Sequence, residues 1–177
     1  MSGIDVRVLE DAGLADELAE LINAIYAVAE CGLWRAGMKR TTVAELADEI
    51  RAGEIVVARR DGQAVGCVRV HDVADDTSEF GILVAAPDER NTGVGRALLD
   101  HIERSSRERG MRAMQLELLV PREWSHPSKE FLKHWYGRRG YELIGTRDMR
   151  KAYPQLVPLL ATPCDLQVRE KRLVSDG

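Results

Sequence analysis

The sequence predicts an α/β fold of six to seven strands and about four helices. Three observations carry this. Segments with apolar residues at every second position alternate with segments where they recur at three and four. Asp61-Gly62 joins two strand-like runs and supplies the positive φ that a tight hairpin turn needs. A glycine-bearing turn at 90–95 connects an apolar run to an amphipathic helix. The 177 residues, 45% apolar and 31% charged, suit one domain with its own core, taken as 1–177.

Ile4, Val6 and Val8 alternate with polar residues and predict a first strand. Leu14, Leu18, Leu21, Ile22, Ile25 and Ala29 make one stripe of a helix over 13–30. Residues 31–40, with Gly32, Trp34 and Gly37, read as a loop. Thr42 and Glu45 form a capping box for a second helix, with Val43, Leu46, Ala47 and Ile50 as its buried face and Gly53 at its end. Strands follow at 54–60 and 63–71, then an acidic turn over 72–77. A central strand begins at Glu79 and runs through the apolar stretch Phe80 to Ala86, bounded by Pro87.

The helix after the glycine turn carries Val94, Ala97, Leu98, Ile102 and Ser105 on one face, and Gly110 suits its end. Residues 113–120 are a strand with Met114, Leu116 and Leu118 on one side, followed by a loop over 121–126. Residues 127–138 are a short helix with Phe131, Leu132 and Trp135 inward, stopped by Gly140. Strands at 141–147 and 165–173 complete the chain before a tail over 174–177. Pro154 and Pro158 leave 151–160 ambiguous between helix and loop.

A net charge of −4 gives no electrostatic support for a nucleic-acid partner. Residues 1–20 lack the apolar block of a signal peptide, and no run approaches membrane-span length. Cys31, Cys67 and Cys164 are widely spaced and odd in number, as expected of reduced thiols in a cytoplasmic protein. His71, His101, His126 and His134 show no metal-ligand spacing, so no metal is expected. His101 is expected partly buried, and His126 is placed in a loop near the acceptor side.

The turn Arg90-Asn91-Thr92-Gly93-Val94-Gly95 predicts phosphate binding. The first turn of a helix has backbone N–H groups without internal partners, and the helix dipole adds positive potential there. Gly93 and Gly95 let an anion come close, and Arg90 and Arg96 bracket the turn with positive charge. A dinucleotide fingerprint needs a third glycine where Leu98 stands, and the Gly-Lys-Ser/Thr of a nucleoside-triphosphate loop is absent.

What remains, Arg-x-x-Gly-x-Gly between a strand and a helix, resembles the GNAT superfamily of acyl-CoA-dependent N-acetyltransferases. The segment Trp135-Tyr136-Gly137-Arg138-Arg139-Gly140-Tyr141 resembles a second motif of that family. The specific likeness covers roughly 54–145. It implies a mixed, mostly antiparallel sheet and transfer of an acetyl group from acetyl-CoA to a primary amine by direct attack. It also implies that Arg90, Thr92, Gly93, Val94, Gly95 and Arg96 hold the coenzyme's pyrophosphate. Backbone contacts to its pantetheine arm would fall at Leu83, Val84 and Ala85.

A lysine-like amine lies about 3.4 pKa units above neutrality, so deprotonating it costs roughly 4.6 kcal/mol, and a departing thiolate gains from a proton donor. The resemblance assigns the donor to Tyr136 and the base, working through water, to Glu79, with Glu117 as the second candidate base. The alternative for Glu117 is a sheet-face residue paired with an arginine. The family often has Asn seven residues before the tyrosine, to contact the coenzyme, and Lys129 stands there. Loops carrying Trp34 and Trp124 are expected on the acceptor side, where the acceptor is a small-molecule or peptide amine. The resemblance also allows a homodimer, with the C-terminal strand as pairing edge. A non-catalytic acyl-CoA sensor of the same fold is the alternative reading.

Overall fold

The computed structural model describes residues 3–174, so residues 175–177 of the expected tail lie outside it. Seven strands form a single sheet: β1 (Asp5–Val8), β2 (Ile55–Arg60), β3 (Gln63–Ala74), β4 (Thr77–Ala85), β5 (Ala113–Pro121), β6 (Glu142–Arg147) and β7 (Cys164–Arg172). Their order is β1-β2-β3-β4-β5-β7-β6. Neighbours are antiparallel except β4 and β5, which run parallel. The helices are α1 (Ala15–Ala29), α2 (Val43–Arg51), α3 (Val94–Glu108), α4 (Pro127–Arg138) and the single turn α5 (Met149–Ala152). The expected mixed, mostly antiparallel sheet with four substantial helices is what the chain forms.

The local signals act as read. Thr42 and Glu45 make the full capping box of α2. Asp61 and Gly62 both take positive φ, 52° and 82°, in the two-residue hairpin between β2 and β3. Four details differ. The acidic turn is tighter than expected, because β3 extends to Ala74 and β4 begins at Thr77, leaving Asp75-Asp76 as the turn. The ambiguous stretch 151–160 holds the end of α5 and a 3-10 turn at Val157–Leu159. Val43 and Phe131, placed on buried faces by periodicity, are 44% and 61% exposed. The C-terminal strand β7 lies between β5 and β6, so the free edge belongs to β6, all six residues of which are exposed.

Two apolar layers cover the sheet. On one face, Val94, Leu98, Leu99 and Ile102 of α3 pack with Phe80, Met114, Leu116, Leu118 and Val120, and Tyr136 and Tyr141 join them. On the other, Leu18 and Ile22 of α1 and Leu46 and Ile50 of α2 pack on Ile55, Val57, Cys67, Ile82 and Val84. A smaller cluster of Leu33, Leu119, Met149, Cys164 and Leu166 closes the far end of that second face. Each fully buried aliphatic side chain contributes about 1.5–3 kcal/mol of transfer free energy.

Gly66 of β3 fixes how closely α3 approaches. A Cβ there would lie 2.6 Å from the Val84 carbonyl oxygen and 2.7 Å from Val94 Cγ1, so only glycine permits the contact.

Candidate active site

The sheet splits at its centre. The β4–β5 ladder runs from Thr77↔Ala113 to Phe80↔Leu116 and stops. Beyond it, the peptide groups of 81–85 that would have bonded β5 face a gap. The cause is a β-bulge. Between Cys67↔Val84 and Arg69↔Gly81, the single residue Val68 opposes both Ile82 and Leu83. Ile82 takes φ +53°, a rare conformation for a β-branched residue. Bulges of this kind bend a strand and interrupt its pairing. This one also reverses the strand's facing. Phe80 packs under α3, whereas Ile82 and Val84 pack under α1 and α2. Leu83 and Ala85 turn to the α3 side. The expected pantetheine contacts, Leu83, Val84 and Ala85, therefore all lie on the unpaired stretch.

The glycine turn stands next along the chain. Pro87–Glu89 form a 3-10 turn, Asn91 takes φ +62°, and Gly93 takes φ +93° as the N-cap of α3. Gly93 has no side chain to cap the helix, so the N–H groups of Val94, Gly95 and Arg96 are open to an external acceptor. A Cβ on Gly95 would meet no atom within 4 Å, so the space over this turn is clear. Thr92 Oγ1 donates to the Glu89 carbonyl and carboxylate, and Glu89 is clamped by Arg60 through bonds of 3.0 and 3.1 Å. Thr92 and Arg60 together hold the Glu89 carboxyl below its usual range. Glu89 is thus turned away from Arg90, which is exposed at the turn. Arg96 is 76% exposed, with Asp100 3.9 Å away. These groups fit a phosphate-bearing ligand: open N–H donors, clear space and two solvated cations.

Tyr136 lies in the same layer as α3, on α4. It is 5% exposed, with the Phe80 ring centre at 5.8 Å and that of Tyr141 at 6.0 Å. Burial pushes its phenol up, and the phenol of Tyr26 on α1 adds to this. Tyr136 therefore keeps its proton at neutral pH. Tyr26 packs in the opposite apolar layer. Sequence periodicity missed Tyr26, which sits just off the α1 stripe.

The two acidic candidates separate. Glu79 on β4 is half-buried, and its Oε2 accepts a 2.6 Å bond from Gln115 Nε2, its register partner on β5. His71 stands opposite on β3, with Nδ1 buried and no hydrogen-bond partner. Glu117 pairs with Arg147 and accepts a 2.7 Å bond from Tyr153, so the arginine-paired alternative is the one the structure shows. Burial and the bond to Glu117 push Tyr153 up to about 12. Glu79 accepts on one carboxylate oxygen only, whereas both oxygens of Glu117 are engaged.

Lys129 does not face the glycine turn. Its Nζ donates 2.6 Å to Glu30 at the end of α1, and the two side chains are only 5% and 9% exposed. Trp34 Nε1 donates 2.5 Å to the second Glu30 oxygen. His126 caps α4: its Nδ1 accepts from the Ser128 N–H at 3.2 Å, so Nε2 carries the proton and donates to the Cys31 carbonyl at 3.0 Å. Trp124 stacks on His126, 5.3 Å between ring centres, and lies over Gly32. Trp124 and His126 thus hold the start of α4 against the loop 31–40, while Trp34 lines a cavity beside that loop. His101 is partly buried, as expected, and burial lowers its pKa. Among the described residues no group of three or more His, Cys, Asp or Glu is placed to hold a metal. No helix of the described residues is long and apolar enough to cross a membrane.

The class is thus defined by its architecture: a seven-stranded sheet split between two parallel central strands, with the uncapped N-terminus of a helix following the split strand. Residues 51–143 match the family model of the GNAT acetyltransferase domain, and the chain belongs to that family. Among curated proteins it resembles the amino-acid acetyltransferases of Azotobacter vinelandii and Pseudomonas aeruginosa. The first is 29% identical over 109 residues, covering 61% of this chain and 23% of that protein. The second is 30% identical over 135 residues, covering 76% and 27%. The chain thus spans about a quarter of the length of these relatives.

Among solved structures it resembles N-acetylglutamate synthase from Neisseria gonorrhoeae complexed with coenzyme A and N-acetyl-glutamate, with TM-score 0.66 and 21% identity. That match covers 98% of this chain and 36% of the other. It also resembles the PaiA N-acetyltransferase from Thermoplasma acidophilum in complex with coenzyme A, with TM-score 0.74 and 16% identity over 96% and 99% of the chains.

Proposed function

We propose that this chain transfers the acetyl group of acetyl-CoA to a primary amine by direct attack. The observation that carries this reading is the β4–β5 split opening beside the uncapped N-terminus of α3. Val94, Gly95 and Arg96 N–H groups bind the pyrophosphate, with Arg90, Thr92 and Gly93 shaping the turn. The free backbone of Leu83, Val84 and Ala85 pairs with the pantetheine arm as β5 would have done. Acetyl-CoA supplies the activated thioester. Tyr136 donates its retained proton to the leaving sulfur. Glu79, oriented by Gln115, takes the amine's proton through water. A peptide N–H freed by the bulge donates to the oxyanion of the tetrahedral intermediate. A homodimer formed through the sheet would use β6, the exposed edge, rather than β7.

Calorimetry of acetyl-CoA binding to wild type and to Gly93→Asp tests this. Micromolar binding that the added carboxylate abolishes is the expected result, followed by turnover of an amine panel that Tyr136→Phe slows. A folded wild type that binds neither acetyl-CoA nor CoA overturns the reading.

A further inference from the structure

We propose that Arg40 binds a carboxylate of the amine acceptor, so that the acceptor is an amino acid or another amine bearing a carboxylate. This rests on the acetyl-transfer reading above and names the substrate class of the same site.

Arg40 is fixed from two sides. Asn23 of α1 clamps its backbone: Oδ1 accepts from the Arg40 N–H at 2.8 Å and the Thr41 N–H at 3.1 Å, and Nδ2 donates to the Thr41 carbonyl at 2.9 Å. The guanidinium then lies 5.3 Å over the Tyr26 ring centre. A guanidinium held against an aromatic ring loses freedom without losing its charge, and its remaining donors can meet a carboxylate. The fork also lies at the right place. Arg40 Nη2 is 3.9 Å from where a Gly81 Cβ would stand, and Gly81 is the first β4 residue beyond the last β4–β5 pair.

The surrounding carboxylates have other partners. Glu30 is bound to Lys129 and Trp34, Glu49 and Glu54 to Arg69, and Glu79 to Gln115. Arg40 acts on Glu49 at longer range, yet no carboxylate among the described residues forms an ion pair with it. A cavity of about 220 Å³ opens beside it, lined by Asn23, Tyr26, Glu30, Trp34, Arg35 and Arg40. An acceptor with its carboxylate on Arg40 can extend its side chain into this cavity and turn its amine toward the split. The net charge of −4 is too small to set the acceptor's charge, which a local oriented cation decides.

The test compares L-amino acids and 4-aminobutyrate with their carboxamides, which keep the amine and shape but lose the charge. CoA release and calorimetric binding to the CoA-loaded protein are both read, for wild type, Arg40→Gln and Arg40→Lys. Wild type is expected to prefer at least one acid over its amide by about 10- to 100-fold in kcat/KM. Arg40→Gln removes that preference by raising KM for the acid alone, and Arg40→Lys restores part of it. Amides used as well as acids, an Arg40→Gln loss equal for both, or no acid bound by a protein that does bind acetyl-CoA each overturn the proposal. Failure to bind acetyl-CoA sinks the transferase reading separately. Acid binding that depends on Arg40 would then still support the carboxylate site.

Discussion

Gly95→Ala and Gly95→Asp separate stability from ligand binding. Gly95 is the second residue of α3, and a Cβ added there meets nothing within 4 Å. In a helical conformation alanine is favoured over glycine by about 0.5–1 kcal/mol, because glycine loses more backbone freedom on folding. For a domain of this size that raises Tm by roughly 1–4 °C. A carboxylate at the same position, in Gly95→Asp, stands beside the Val94, Gly95 and Arg96 N–H groups and competes with a phosphate for them. Losing one charge-assisted hydrogen bond costs about 1.5–3 kcal/mol, which weakens acetyl-CoA binding about 10- to 150-fold.

Gly93→Ala serves as the contrast. Its φ of +93° strains any L-residue by about 1–2 kcal/mol, so that variant loses stability as well as affinity. Thermal unfolding and calorimetry with acetyl-CoA read both quantities. A Gly95→Asp protein that binds acetyl-CoA like wild type would show that the open N–H groups of α3 do not hold the ligand.

Tyr136→Phe should lower kcat about 100-fold or more while leaving KM for acetyl-CoA and the unfolding temperature nearly unchanged, checked by steady-state kinetics and a thermal melt. Because burial raises the Tyr136 pKa, no activity loss from its ionisation should appear in a pH profile up to about 10. Lys129→Met should cost about 3–5 kcal/mol in a urea titration, since it strands the buried Glu30 carboxylate, and the double variant with Glu30→Leu should recover most of this. Thiol titration should find Cys31 fast and the other two slow, because Cys31 is exposed while burial pushes Cys67 up to about 12 and Cys164 up to about 11. Buried thiols hold their protons longer when folded than unfolded. The stability Cys67 contributes is therefore complete below pH 9 and lost as pH rises toward 12, giving an alkaline unfolding limb that Cys67→Ala should reduce.

Much of the architecture was legible because it rests on local rules. The capping box at Thr42, the positive φ at Asp61-Gly62 and the glycine end of α3 are backbone requirements satisfied within a few residues. The open glycine turn at 90–95 was legible for the same reason: its N–H groups, its glycines and its flanking arginines are nearly consecutive. Phe131 and Val43 were misplaced because periodicity marks an apolar face without saying whether the partner layer extends that far. The Lys129–Glu30 pair joins residues 99 apart, and nothing in either neighbourhood announces it.

The sequence by itself determined the element order and the glycine turn before α3 with its flanking arginines. Each depends on residue type and on spacing along the chain. Only the tertiary structure decided that Ile82 bulges and splits the sheet, that Lys129 and His126 bind Glu30 and Cys31, and that Arg40 lies over Tyr26 beside Gly81. Those outcomes depend on which strand lies next to which and on how far α1 sits from α4. Packing of the two apolar layers sets such distances, and they leave no periodic trace in the chain.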